Sequence, residues 1–148
     1  MSTTRPYWSV ALAALGTALV LAGCREELGP VAFPTTRVTG QLSEGGQTVG
    51  GGWIEFWPTE GTVGNLRSAP IGQDGRFDAT GVAIGRNVIG LVDVPIRLPG
   101  GRELFYSHAS PIRRVIPPGP ASTLAIDLLA EAIRHQQETT GNVPESSP

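Results

Sequence analysis

Glycine and proline interrupt this chain too often for it to be built mainly from long helices. Its 148 residues include 20 Gly and 13 Pro, scattered between short apolar runs. Each favours a turn and breaks a regular helix. Short strands joined by turns tolerate that spacing, so the pattern predicts an all-β domain. The strongest strand is Trp53-Ile54-Glu55-Phe56-Trp57-Pro58, β-branched and aromatic residues closed by a proline. Period-2 geometry puts Ile54 and Phe56 on one face, and Trp53, Glu55 and Trp57 on the other.

The neighbouring runs follow the same logic. Thr36 to Leu42 alternates as a first strand, with Val38 and Gly40 facing inward, and Glu44 to Gln47 is a turn. Glu60 to Asn65 is a polar loop, and Arg67 to Gln73 a short strand. Asp74-Gly75 then predicts a hairpin into Arg76-Phe77-Asp78-Ala79, because Gly accepts the positive φ of a tight turn. Asn87 to Val94 is a strand with Ile89 and Leu91 inward, followed by a Pro/Gly-rich excursion from Pro95 to Arg102. Glu103 to Tyr106 and Ile112 to Ile116 are expected as edge strands, and Pro117-Pro118-Gly119-Pro120 as a stiff break. Thr123 to Leu128 alternates again, with Leu124, Ile126 and Leu128 on one side. A short helix is expected from Leu129 to Gln137, with Asp127 near its positive end. Thr139 to Pro148, polar and proline-containing, is expected to be disordered.

The N-terminal stretch has a different character. Tyr7 to Ala22, about 16 residues, carries no charge and follows Arg5 and the amino terminus. It is shorter than the ~20 residues a spanning helix needs. A positive start, a short apolar run and a small-residue cleavage site describe a secretory signal. The run ends in Leu21-Ala22-Gly23-Cys24, and Cys24 is the single cysteine. This resembles the lipobox of bacterial lipoproteins. The resemblance implies that the thiol of Cys24 is lipidated, the chain is cut before it, and the new amine is acylated. At about 0.8 kcal/mol per buried methylene, two or more chains anchor a protein stably. The alternatives are an uncleaved membrane helix and an ordinary signal with a chance cysteine. Residue 25 is Arg rather than Asp; by resemblance to enterobacterial lipoproteins this removes one inner-membrane retention signal. The expected organisation is a signal peptide over 1–23, a tether over 24–34, a β-sandwich with its helix over 35–138, and a tail over 139–148.

The order of the β motifs carries a second resemblance. Val38-Thr39-Gly40, Gly52-Trp53-Ile54-Glu55-Phe56-Trp57-Pro58, Asp74-Gly75-Arg76-Phe77 and Gly85-Arg86-Asn87-Val88-Ile89 come in sequence. Ser110 to Pro117 and Leu124 to Leu128 continue the match. Together these resemble short planctomycete lipoproteins with a prealbumin-like, or carboxypeptidase-regulatory-like, single antiparallel Greek-key β-sandwich. Asn87 departs from that pattern, where an aromatic is usual, and Trp53 and Trp57 are heavier than usual. The resemblance implies architecture and no activity.

Few residues suggest chemistry. A net charge of −2 gives no electrostatic case for nucleic acid. Every basic residue is Arg, which reads as composition bias. With Cys24 modified, His108 and His135 are the remaining nitrogen donors, without zinc-site spacing. Asp74 and Asp78 flank a turn and are too few for a calcium loop. Ser107 and His108 are neighbours, but no G-x-S-x-G occurs, nor the terminal Tyr-Arg-Gly-Ser of transthyretin-like hydrolases. Gly50-Gly51-Gly52 enters a strand, not a helix, and so does not form a phosphate cradle. No cofactor or metal is expected, and no enzymatic activity; a hydrolase centred on His108 is the remote alternative.

Trp53, Glu55 and Trp57 form the candidate binding face. One reading is an aromatic platform for a glycan or a partner protein. The expectation preferred here is that the C-terminal helix folds back over them through Leu129, Ala132 and Ile133. Arg113 and Arg114 read as solvent-facing strand arginines, with an anionic ligand as the alternative. The sequence thus predicts a lipid-anchored envelope protein, held to a membrane outside the cytoplasm, that acts as a structural or protein-interaction module. A carbohydrate-binding module using Trp53 and Trp57 is the second reading.

Overall fold

The computed structural model describes residues 32–141. The expected leader, Cys24, the tether as far as residue 31 and the tail from residue 142 lie outside the described residues. Within them the chain is mostly β, with eight strands in two sheets.

Strand β1 (Thr35–Glu44) is the axis of the first sheet. One edge pairs antiparallel with β5 (Arg76–Ala83), Gly40 opposite Phe77. The other pairs parallel with β8 (Ala121–Asp127), Val38 opposite Ser122 and Ser43 opposite Asp127. A two-residue turn, Gly45-Gly46, folds β1 back onto β2 (Gln47–Thr48). Both glycines have positive φ, 59° and 79°, as a type I′ hairpin turn requires. The second sheet runs β4 (Arg67–Pro70), β3 (Trp53–Pro58), β6 (Gly85–Val92), β7 (Arg113–Ile116), all antiparallel.

Alternation sorts the side chains as the sequence predicts. Val38, Leu42, Phe77, Ala79 and Ile126 of the first sheet face Ile54, Phe56, Ala69, Ile89 and Leu91 of the second in one core. The Phe56 and Phe77 rings meet across it, centroids 6.2 Å apart. Burial of each large apolar side chain contributes about 1.5–3 kcal/mol. Gly40 faces this core, half-buried, and a Cβ there would lie 2.4 Å from the Phe77 ring and 2.2 Å from the Leu124 carbonyl oxygen. The missing side chain is the space that Phe77 fills.

Four expectations are corrected. The sandwich is not wholly antiparallel, because β8 reaches β1 from the far end of the domain and runs parallel to it. The Asp74-Gly75 turn forms, with Gly75 N–H donating to the Gly72 carbonyl at 2.9 Å. It is a corner rather than a hairpin within one sheet: β4 belongs to the second sheet and β5 to the first, joined by a single bridge, Ile71 to Phe77. Glu103 to Tyr106 is not an edge strand. Gly101–Leu104 makes one helical turn, α1, and Phe105 is fully buried behind it. The excursion before it is pinned by Glu44, whose carboxylate accepts from the Arg97 and Leu98 backbone N–H groups. The final helix, α2, runs Leu128–Gly141, so residues 139–141 are helical rather than disordered. The Thr139 and Thr140 hydroxyls donate to the carbonyls of His135 and Gln136, one turn back.

Asp127 joins three elements. Its carboxylate accepts from the Leu129 and Ala130 N–H groups, capping α2, and from those of Gly45 and Gly46, bracing the hairpin turn. The Ser43 hydroxyl donates to it as well. Desolvation pushes the carboxyl pKa up, but the bonds from Gly46, Gly45, Ala130 and Ser43 outweigh it and hold the value below the ordinary range. A carboxyl depressed in the folded state adds stability above its unfolded value, near 3.9, and that stability is lost as pH falls through the folded value.

Two measurements check this. Gly40→Ala should cost about 2 kcal/mol or more in urea unfolding, because Phe77 and the Leu124 carbonyl cannot both retreat. Asp127→Ala should cost about 2 kcal/mol at pH 7. The wild-type advantage should shrink progressively as pH is lowered from about 5 through the folded-state value.

Candidate functional site

The outward residues of β3, β6 and β7 form one surface. Their register aligns Trp57, Val88 and Arg113 in one cross-strand row and Glu55 with Gly90 in the next. Trp53 is 46% exposed. Trp57 is half-buried and donates from its indole N–H to a Glu55 carboxylate oxygen at 2.9 Å. Trp53, Glu55 and Trp57 therefore share the outer face, as expected.

The cover over Trp57 is not the expected one. Helix α2 packs against β1, β8 and α1, with Leu129 and Ile133 exposed and Ala132 turned toward the core. Trp57 is overlaid instead by His108, ring centroids 5.4 Å apart and tilted by 59°. His108 belongs to a 3-10 turn, Ser107–Ala109, laid on Gly90. A Cβ on Gly90 would lie 2.5–2.7 Å from the Ser107 backbone. Ser107 takes a positive φ of 54° to make that contact. An isolated glycine inside a strand signals a close backbone approach, so Gly90 was the residue that could have revealed this cover.

The Ser107 hydroxyl and His108 Nδ1 are 3.2 Å apart. The bond holds the imidazole in place over the indole. His135 does not join it. It lies on α2, lining a groove of about 470 Å³ with Leu98, Leu104 and Ile133. Among the described residues no group of three or more His, Cys, Asp or Glu side chains is placed to hold a metal ion. No helix among them is long and apolar enough to cross a membrane.

At one end of this sheet three arginines lie close together, Arg86 and Arg113 on the outer side and Arg114, opposite the buried Asn87, on the core side. Arg86, Arg113 and Arg114 line a cavity of about 110 Å³ with Thr59, Glu60 and Asn87. The Thr59 N–H donates to the Arg86 carbonyl at 2.9 Å and ties this loop to β6. Glu60 follows with a positive φ of 51°, and its carboxylate pairs with Arg86 and, at 3.9 Å, with Arg113. Arg113 is solvent-facing, as the sequence implies. Arg114 is not: its side chain is only 22% exposed and pairs with the buried Glu131 of α2, which also faces Arg134. Burial lowers the Arg114 pKa from its ordinary value, though a guanidinium stays charged near neutrality.

No family model, no curated protein and no solved structure matches this chain.

Replacing His108 by Ala should unstack the cover and wet Trp57. The expected result is a red shift in tryptophan emission with a stability loss of about 1 kcal/mol. An unchanged spectrum would mean that His108 does not shield the indole.

Proposed function

We propose that this chain is a lipid-anchored lipoprotein of the bacterial cell envelope, acting as a non-catalytic structural or protein-interaction module. The observation that carries the reading is Leu21-Ala22-Gly23-Cys24 at the end of an uncharged apolar run, with no second cysteine in the chain. An acylated Cys24 tethers the β domain to a membrane, outside the cytoplasm, by a linker of about ten residues. We assign the domain to the prealbumin-like, Greek-key class. Supporting this, the path crosses between sheets after β4, returns to lay β6 beside β3, and crosses again so that β8 lies beside β1. The outer face carrying Trp53, Glu55 and Trp57 is the surface offered to an envelope partner. An aromatic that keeps nearly half its area in water is typical of a contact surface.

A second reading has its own observation. Trp53 and Trp57 stand four residues apart on one face with Glu55 between them. The exposed Trp53 ring beside a hydrogen-bonding acid suits the face and hydroxyls of a sugar, and His108 would have to swing aside for Trp57 to join it. Tryptophan emission separates the readings: a shift on adding envelope glycans that Trp53→Ala abolishes supports the carbohydrate reading, and no shift opposes it.

The anchor is tested by metabolic labelling with radioactive palmitate in a bacterium that processes lipoproteins. The wild-type chain should incorporate label and fractionate with membranes. Cys24→Ser should lose all label, and its uncleaved leader should persist. An unlabelled wild-type chain contradicts the proposal.

A further inference from the structure

The turn that covers Trp57 is pinned at both ends and loose in the middle. Phe105 and Ser110 are buried. The Phe105 carbonyl accepts from the Leu91 N–H at 2.8 Å, and the Ser110 hydroxyl accepts from the Ile112 N–H at 3.2 Å. Between these fixed points Tyr106, His108 and Ala109 are exposed and Ser107 is half-buried. Inside the 3-10 turn the Ser110 N–H reaches the Ser107 carbonyl at 3.3 Å, long for such a bond.

Two opposing effects set the position of the turn. The His108 ring packs on the Trp57 indole, and the Ser107 hydroxyl steadies it at Nδ1. Against this, Ser107 holds a left-handed φ of 54°, which is unfavourable for a residue with a Cβ. Strain of this kind persists only where neighbouring contacts enforce it, and it concentrates at ligand clamps and switch segments. The enforcing contacts here are the ring stack and the seat on Gly90, which has no side chain to interlock with the turn. Returning Ser107 to an ordinary φ relieves the strain, lifts His108 and uncovers Trp57.

The surface beneath suits an extended ligand. Trp53, Glu55 and Trp57 follow one another along the outer side of β3. At about 3.3 Å per residue the two tryptophans stand about 13 Å apart, too far for one sugar ring to touch both. Between them, one Glu55 oxygen accepts from the Trp57 indole at 2.9 Å, and the second is left for a sugar hydroxyl.

We infer that residues 106–109 form a flap over a glycan site. The flap opens to bare Trp57, so that Trp53 and Trp57 grip one linear oligosaccharide while Glu55 accepts from a hydroxyl between them. This rests on the carbohydrate reading above and adds the length of the ligand and the motion that admits it. With the flap closed, the face offers only Trp53, enough to hold a single sugar weakly.

Calorimetric titration of the full-length protein with N-acetylglucosamine and with its linear β-1,4 hexamer tests the inference. The hexamer should bind at least about tenfold more tightly than the monosaccharide. Trp57→Ala should weaken hexamer binding by about tenfold and leave the monosaccharide unaffected. His108→Ala, at an exposed position, removes the cover and should tighten hexamer binding about threefold. A second readout needs no ligand. In relaxation-dispersion NMR the indole N–H of Trp57 should show microsecond-to-millisecond exchange that His108→Ala removes. A flat profile in the wild-type protein, or hexamer binding indifferent to both substitutions, would overturn the flap and leave a carbohydrate site at Trp53 standing. Hexamer binding by neither the wild-type protein nor His108→Ala would overturn the carbohydrate reading, and the inference with it.

Discussion

The parallel pairing of β1 with β8 is the constraint on which the rest of the domain depends. β1 is hydrogen-bonded along both edges, to β5 on one side and to β8 on the other. The pairing with β8 brings Val38 beside Ser122, so the two ends of the domain close on each other. Such a contact joins residues 84 apart in sequence and carries the loop-closure cost of that separation. Once formed, it delivers Asp127 to the Gly45-Gly46 turn and sets the start of α2. The helix in turn supplies Glu131 to Arg114, the buried ion pair behind the arginine cavity. A buried pair of this kind gives little net stability but strongly penalises loss of one partner, so it fixes where β7 and α2 sit.

Local pattern was legible in the sequence, and long-range pairing was not. Trp53–Pro58 is the strand the residues predict, with Ile54 and Phe56 buried. Alternation also placed Ile89, Leu91, Ile126 and Leu128 inward. What alternation cannot say is which strands are neighbours. A parallel pair has no turn joining its members, so nothing in the residues marked β8 as the partner of β1. The Asp-Gly turn was visible, but the same turn serves a hairpin or a corner between sheets. The partner strands decide, and they are distant in sequence. Gly101–Leu104 misled for a related reason: Leu104-Phe105-Tyr106 has strand-like composition, yet burial of Phe105 and the Glu44 clamp on the preceding loop impose a helical turn.

The candidate surface was half legible. Period-2 geometry put Trp53, Glu55 and Trp57 together, and they are together. The sequence does not show the cover, because the apolar residues of a helix after the last strand could be buried against either sheet. In the fold, α2 turns Ala132 toward the core and leaves Leu129 and Ile133 in water, while His108 arrives over Gly90 from a loop. Arg114 and Asn87 were each noticed as single residues. The register of β6 against β7 places Asn87 opposite Arg114 on the core side, and leaves Arg86 and Arg113 to share Glu60 on the outer side. A strand pattern names faces; only the register names neighbours.

Amide hydrogen exchange, read residue by residue, tests the closure of β1 on β8 most directly. If this pairing holds the domain together, amides of Gly40, Leu42, Leu124 and Ile126 exchange only through global unfolding and share one protection free energy. If β8 and α2 instead exchange freely while β1 and β5 stay protected, the closure is an appendage and the account is wrong.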